Sequence, residues 1–141
     1  MGEIKGMIPG GLLFVCLGNS CRSIMAEALA RHLLGGKVPV ASAGLDPLGY
    51  IAPLTLEVLA ETGVSLKGLY SKGLKDLPFK DFGRLINLSY HPVPSWLTRN
   101  WPVEVVNRPV SDPFGGTLED YRRTREEIRR LLTEELLRDL G

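Results

Sequence analysis

Short apolar runs alternate along the chain with segments in which apolar residues recur every three or four positions. A short apolar run is typical of a buried strand, and the longer spacing is typical of a helix with one buried face. Glycine, proline and asparagine mark the ends of these segments. We therefore predict strand 12–15, a helix with Ile24, Ala28, Leu29 and Leu33 that ends at Gly35-Gly36, strand 38–41, a helix from Pro53 to Gly63, strands 85–88 and 103–106, and a final helix.

The final helix has the clearest pattern of all the predicted elements. Thr117 can cap its first turn, and Asp120 completes a weaker version of the capping box. The helix is predicted to run nearly to the C-terminus. Its apolar positions form one stripe that we expect to be buried: Tyr121, Ile128, Leu131, Leu132 and Leu136.

The order of the elements predicts the class of fold. Strands that alternate with helices through short links form a parallel sheet with helices on both faces, as in α/β proteins. Such sheets bind ligands beyond the carboxyl ends of their strands, so the loop after the first strand is the expected site. Residues 1–10 contain three Gly and one Pro without periodicity and are predicted to be a flexible leader, followed by a single domain over 11–141.

Composition narrows the class of function. The net charge of +1 lacks the large basic surplus that is typical of nucleic-acid binders. The longest apolar run, residues 12–17, is too short to span a bilayer, and no signal-peptide pattern precedes it. We therefore expect a cytoplasmic protein without nucleic-acid or membrane partners. With only two cysteines, Cys16 and Cys21, a disulfide scaffold is excluded.

The loop between the first strand and the first helix carries the candidate chemistry. It reads Cys16-Leu17-Gly18-Asn19-Ser20-Cys21-Arg22-Ser23. A tight loop before a helix can turn its backbone N–H groups inward as a nest for an anion, and the helix dipole adds positive charge. Gly18 and Asn19 are residue types that adopt positive φ readily. Arg22 can bind two oxygens of a tetrahedral oxyanion at once.

Cys16 is the candidate nucleophile of this loop. The positive field of the nest and of Arg22 is expected to hold it as a thiolate. Ser23 could donate a hydrogen bond to the sulfur and ease its later departure as a leaving group. The alternative is a buried thiol at a strand end and an arginine on the surface, which is the usual place of both residue types.

The residues 14–27, Phe-Val-Cys-Leu-Gly-Asn-Ser-Cys-Arg-Ser-Ile-Met-Ala-Glu, resemble the phosphate loop of low-molecular-weight protein tyrosine phosphatases and their arsenate reductase relatives. The segments 42–44, Ser-Ala-Gly, and 112–114, Asp-Pro-Phe, resemble that superfamily in the same order, so the resemblance covers roughly residues 11–140. It implies a flavodoxin-like, three-layer fold with four parallel strands in the order 2-1-3-4. It also implies that no metal or other cofactor is required.

The resemblance also assigns roles to residues. It implies that Cys16 is the nucleophile, Arg22 the oxyanion clamp, Ser23 the partner of the thiolate and Asp112 the general acid. A phosphoryl group that leaves an oxygen atom needs such a proton donor on the leaving side, and Pro113 helps to form a rigid, exposed loop around it. Capping of a turn is the alternative role for Asp112. The oxyanion would be bound by Leu17, Gly18, Asn19, Ser20, Cys21 and Arg22.

Further residues have possible roles around this loop. Tyr50 and Phe114 could form the walls of the substrate pocket, although isolated aromatic residues more often serve packing. Cys21 could trap an oxidised Cys16 as a disulfide and protect it, or could pack as a small buried residue. His32 and His91 lack the paired setting of a catalytic base.

The choice of oxyanion depends on the remaining cysteines. The resemblance implies that thioredoxin-coupled arsenate reductases need two further cysteines after the third strand, where this chain has Ser89 and no Cys. We therefore predict a phosphatase that acts on phosphotyrosine-like or other phosphate monoesters, from a phosphorylated protein or a small phosphate ester. The alternatives are an arsenate reductase that uses an external thiol, and a non-catalytic oxyanion-binding or redox-switch module.

Overall fold

A computed structural model describes residues 10–137 of the chain. The strands are β1 Leu12–Cys16, β2 Val40–Gly44, β3 Arg84–Asn87 and β4 Glu104–Asn107. The helices are α1 Arg22–Leu34, α2 Pro53–Ala60, α3 Ser95–Thr98 and α4 Leu118–Leu131. Single 3-10 turns occupy Leu74–Asp76 and Phe79–Asp81, and a wider turn, Leu132–Leu136, follows α4.

The four strands form one parallel sheet in the order β2-β1-β3-β4. Cys16 pairs with Gly44, and Asn87 pairs with both Val15 and Asn107, so the carboxyl ends of all strands lie at one edge. This is the predicted order 2-1-3-4, which is confirmed. Ligand chemistry is therefore expected in the loops that leave this edge.

Two hydrophobic cores cover the two faces of the sheet. Phe14 and Ile86 point to the face on which α1, α2 and α4 pack. Leu13 and Leu85 point to the other face, where Leu97 of α3 and residues around the 3-10 turns cover them. The predicted three layers are present, and the second helical layer is thin because α3 has only four residues.

Several element boundaries differ from the predictions. The second strand was expected at 38–41, but β2 spans Val40–Gly44, because Ser42, Ala43 and Gly44 pair with β1 although their strand propensities are weak. Leu33 was expected on the buried face of α1, but it is 45% exposed and Leu34 is buried instead.

Other differences concern the later helices. α2 ends at Ala60, before the predicted Gly63, and α3 lies between the third and fourth predicted strands, where no helix was predicted. At the start of α4, Thr117 Oγ1 accepts from the backbone N–H of Asp120 and confirms the predicted cap. Leu131 and Leu136 of its predicted stripe are only half-buried.

Part of the predictions falls outside the described residues. The leader over 1–10 lies there except for Gly10, which is in a turn. The domain limits 11–141 extend past residue 137 and stay a prediction. Within residues 10–137 no helix is long and apolar enough to cross a membrane. In the same range no group of three or more His, Cys, Asp or Glu side chains is arranged to hold a metal ion.

Candidate active site

The loop of residues 16–22 connects β1 directly to α1 at the carboxyl edge of the sheet. The carbonyl groups of Cys16, Leu17 and Gly18 accept hydrogen bonds from the segment 45–48, at 2.8–3.0 Å. The backbone N–H groups of residues 18–21 donate to no acceptor within residues 10–137. A loop whose carbonyl groups are hydrogen-bonded to a neighbouring segment, and whose N–H groups are unpaired, offers those N–H groups to an anion and is called a nest.

Asn19 fixes the shape of this loop. Its φ of 48° lies in the left-handed region, which costs free energy unless the surroundings hold it. Its Nδ2 donates to the hydroxyls of Ser23 (2.8 Å) and Ser42 (2.9 Å), and its Oδ1 accepts from the backbone N–H of Lys72 (2.9 Å). The Asn19 side chain is therefore buried under the loop as its support and does not line the cavity, so the oxyanion-binding role predicted for Asn19 is left to its backbone N–H.

Gly18 has a different role from the one predicted for it. Its φ is not positive, so the loop does not use its conformational freedom. A Cβ atom on Gly18 would lie 3.0 Å from Cγ of Leu48, which is closer than ordinary packing allows. Glycine is needed here because the segment 45–48 approaches the loop closely.

The Cys16 thiol is held from within its own loop. Its Sγ lies 2.9 Å from Oγ of Ser23, and Cys16 is only 2% exposed. Because Ser23 Oγ already accepts a hydrogen bond from Asn19 Nδ2, its own hydroxyl hydrogen is free to point at the sulfur. Such a donor stabilises a thiolate.

Arg22 is buried and anchored by two other loops. Its Nη1 donates to the carbonyl oxygens of Leu88 (3.3 Å) and Val110 (3.1 Å), which follow β3 and β4. Its Nη2 lies 3.4 Å from Oδ2 of Asp112. Its Nε–H has no acceptor among residues 10–137, which is unusual for a buried polar group. The guanidinium is thus fixed in place, and its Nε–H is left for a ligand.

Asp112 stands above this arginine, and its side chain is 48% exposed. Its Oδ1 accepts from the backbone N–H of Phe114 at 3.1 Å, so the carboxylate also closes a local turn. Asp112 therefore caps a turn, which was its predicted alternative role, and it also lies beside the predicted oxyanion site.

A cavity of about 170 Å³ opens over the loop. Phe114, predicted as a pocket wall, lines it, but Tyr50 does not and is half-exposed. Two residues that the sequence analysis missed, Asp46 and Leu48, line it instead. The sequence feature that could have indicated these two residues is their position just after the end of a strand. The full lining consists of Cys16, Leu17, Gly18, Ser20, Cys21, Arg22, Asp46, Leu48, Asp112 and Phe114.

Cys21 lines the same cavity and is nearly fully buried. Its Sγ lies 3.7 Å from the hydroxyl of Tyr121 on α4. Burial raises the pKa of the Cys21 thiol above its ordinary value of 9.0. Burial likewise raises the pKa of Tyr121. Cys21 is therefore a protonated thiol at neutral pH, and both predicted roles, redox protection and packing, remain compatible with its position.

A buried charged pair supports the nest from behind. Glu27 on α1 is 1% exposed, accepts from the hydroxyl of Ser42 at 2.5 Å and lies 3.6 Å from Nζ of Lys72. Burial lowers the pKa of Lys72. Since Lys72 also donates its backbone N–H to Asn19, these four residues form a closed ring behind the loop. Nothing local in the sequence points to this ring.

The two histidines and Ser89 lie away from the cavity. His32 is exposed on α1, and His91 is exposed in the loop after β3. Ser89 is buried and donates its hydroxyl to Oδ1 of Asn87 at 2.7 Å. None of the three lines the cavity.

Comparison with known proteins agrees with this geometry. The family model of the low-molecular-weight phosphotyrosine protein phosphatases matches residues 11–141. The chain belongs to this family. The predicted resemblance to these phosphatases and to arsenate reductases is therefore confirmed.

The family's relatives are enzymes of two kinds. A glutaredoxin arsenate reductase from Synechocystis sp. is 32% identical over 84% of this chain and 89% of the relative. A protein-arginine-phosphatase from Bacillus subtilis is 32% identical over 92% of this chain and 93% of the relative. An arsenate reductase solved in its phosphate-binding state superposes with a TM-score of 0.77 at 29% identity, covering 92% of this chain and 98% of that one. These relatives support the interpretation that the chain is an enzyme, either a phosphatase or an arsenate reductase.

Proposed function

We propose that this protein is a phosphatase that releases inorganic phosphate from a phosphorylated protein residue or a small phosphate compound. The observation that carries the proposal is the carboxylate of Asp112, which lines the same cavity as Cys16 and lies beside Arg22. A module that only binds an oxyanion needs no proton donor at this place. A leaving group in phosphoryl transfer does need one.

In the proposed reaction the nest and Arg22 hold the phosphoryl oxygens while Cys16 attacks phosphorus as a thiolate. The S–P bond forms as the bond to the leaving group breaks, and protonated Asp112 gives its proton to that group. The Asp112 carboxylate then takes a proton from a water molecule that attacks the cysteinyl phosphate. Phosphate leaves, and the thiolate returns to the hydrogen bond of Ser23.

Arginine is one candidate for the phosphorylated residue. The Bacillus subtilis relative named as a protein-arginine-phosphatase aligns with almost the whole chain, so an N-phosphorylated guanidine belongs with phosphotyrosine among the substrates to be tested. Both substrates offer the same tetrahedral phosphoryl group to the loop. They differ only in the group that leaves.

Reduction of arsenate with an external thiol is the second candidate function. It is favoured by the Synechocystis relative named as a glutaredoxin arsenate reductase. In that reaction Cys16 would bind arsenic, and a small thiol or a glutaredoxin would supply the electrons. Either function requires Cys16 as a free thiol, which agrees with a reducing compartment, and we propose that the enzyme acts in the cytoplasm.

Parallel assays on the purified protein test the proposal. We expect release of phosphate from an aryl phosphate or a phosphopeptide, and a phosphate group on Cys16 in the mass spectrum of acid-quenched enzyme. The variant Cys16→Ser should lose at least about a thousandfold in kcat. It should still bind phosphate in calorimetry, because the nest is intact.

Two results would overturn the assignment. Arsenate reduction with glutathione and glutaredoxin, in the absence of phosphatase activity, would establish the second candidate. Phosphate binding without either activity would establish a non-catalytic oxyanion-binding module.

A further inference from the structure

Asp46 lies at the mouth of the cavity in a position that the backbone fixes. The N–H groups of Leu45, Asp46 and Leu48 donate to the carbonyls of Cys16 (2.9 Å), Leu17 (2.8 Å) and Gly18 (3.0 Å). These bonds hold the segment 45–48 against the loop that follows β1. Asp46 is thus attached to the oxyanion loop itself rather than to a free surface loop.

The charges around the cavity are unevenly distributed. Among residues 10–137, the charged residues that line it are Arg22, Asp46 and Asp112. The phosphoryl group would be held by Arg22 and the nest, and Arg22 already faces Asp112. No Lys, Arg or His side chain within residues 10–137 forms a salt bridge with Asp46. Among the described residues, its exposed carboxylate therefore has no ion-pair partner.

The apolar part of the mouth does not by itself choose a substrate. Leu48 and Phe114 line it and are 46% and 48% exposed. An apolar and aromatic wall accepts a flat phenyl ring, and it equally accepts a flat guanidinium, which stacks on aromatic faces. The difference between these two leaving groups is their charge, and Asp46 is the lining carboxylate that forms no ion pair within residues 10–137.

We propose that Asp46 is a specificity residue that favours substrates whose leaving group is cationic, of which an N-phosphorylated arginine is the example among protein side chains. This inference rests on the proposed phosphatase function. When the P–N bond breaks and the nitrogen takes the proton of Asp112, a free guanidinium is released beside the carboxylate of Asp46. A fixed negative charge there stabilises this product-like transition state, and it does nothing for a neutral phenol.

The test compares peptides of one sequence that carry phosphoarginine, phosphotyrosine, or phosphotyrosine flanked by an unmodified arginine. Asp46→Asn should lower kcat/KM for the phosphoarginine peptide by about tenfold and leave both phosphotyrosine peptides within about twofold. Asp46→Glu should restore part of the loss. Asp81→Asn removes the same charge from an exposed turn near the amino edge of the sheet and should change none of the three.

The outcomes separate this inference from the proposed function. Equal effects of Asp46→Asn on the phosphoarginine and plain phosphotyrosine peptides would overturn the role of Asp46 while the phosphatase function stands. Hydrolysis of phosphotyrosine but not of phosphoarginine by the wild-type enzyme would likewise overturn the role of Asp46 and leave the phosphatase function standing. A loss confined to the arginine-flanked phosphotyrosine peptide would show that Asp46 interacts with the flanking arginine and not with the leaving group, and would also overturn the proposed role. No turnover of any peptide or aryl phosphate would overturn both.

Discussion

Two side chains of the loop 16–22, Arg22 and Asn19, are held by groups that lie far away in the sequence. Arg22 is anchored by carbonyls that follow β3 and β4, and the conformation of Asn19 depends on Ser42 and Lys72. Such support keeps donors and nucleophile in place before a substrate arrives, which is the condition for electrostatic stabilisation of a transition state.

At the residue scale, the role of Asp112 can be measured through the leaving group. Asp112→Asn cannot donate a proton, so poor leaving groups should lose about 10²- to 10⁴-fold in kcat while good ones lose little. A series of substituted phenyl phosphates gives the dependence of rate on leaving-group acidity. If all members of the series slowed by the same factor, Asp112 would be only a structural residue of its turn.

Cys21 gives a second prediction at this scale. Peroxide converts a Cys16 thiolate to a sulfenic acid, and we propose that the Cys21 thiol then condenses with it, with loss of water, to form a disulfide. Wild-type enzyme should lose two hydrogens by mass and recover its activity with dithiothreitol. Cys21→Ser should gain oxygen and stay inactive.

The raised pKa of Cys21 sets a condition on this protection. A protonated thiol attacks slowly at neutral pH, so recovery should improve as the pH of the peroxide treatment approaches 9.0 and above. Equal recovery of both proteins at every pH would assign Cys21 to packing alone.

At the scale of elements, one carboxylate joins α2 to α4. Glu61, directly after α2, accepts hydrogen bonds from Arg122 and from Arg125 of α4, both at 2.6 Å. Arg125 also donates to the carbonyl of Val58. These arginines lower the pKa of Glu61 to about 2, with Arg122 as the larger cause. The helices are thereby linked by charge as well as by their apolar faces.

This link predicts a pH dependence of stability. The folded-state pKa of Glu61 is below its ordinary value of 4.5, so its contribution is present above pH 4.5 and is lost as the pH falls towards 2. Glu61→Gln should lower Tm by about 1–3 °C at pH 7. The effect is small because the ion pairs of Glu61 with Arg122 and Arg125 are exposed to solvent, and the difference in Tm should vanish near pH 2. Glu57→Gln, an exposed position on the same helix, is the matched control and should leave Tm nearly unchanged. A difference that persisted at pH 2 would mean that the loss is not electrostatic.

Elements with a local signature could be predicted from the sequence, and those without one could not. The cap at Thr117 and the strand that ends at Cys16 depend on neighbouring residues and were predicted to within a residue. β2 was displaced in the prediction because its small residues become a strand only through pairing with β1. The short helix α3 was missed because four residues give no period to detect.

At the scale of the whole molecule, the sheet order was predicted from the family resemblance, and the candidate oxyanion loop was predicted from the spacing of its own residues. The residues that sequence reasoning missed, Asp46, Glu27 and Lys72, reach the loop through contacts between distant segments. Ser42 lies 23 positions from Asn19 and Lys72 lies 53 positions away. Periodicity and short motifs depend on residues close together in the sequence, so they cannot indicate contacts across such separations. These residues are recognised only in the folded chain.

The unpaired Nε–H of Arg22 has a consequence for the enzyme between turnovers. A buried donor without an acceptor costs about 1–3 kcal/mol, and any tetrahedral oxyanion that accepts from it removes that cost. Under the proposed phosphatase function, inorganic phosphate does so as well as a substrate does, so we expect the same donor to bind both the substrate and the product. We therefore expect that, wherever free phosphate is abundant, the enzyme between turnovers is a phosphate complex and each new substrate must first displace that phosphate.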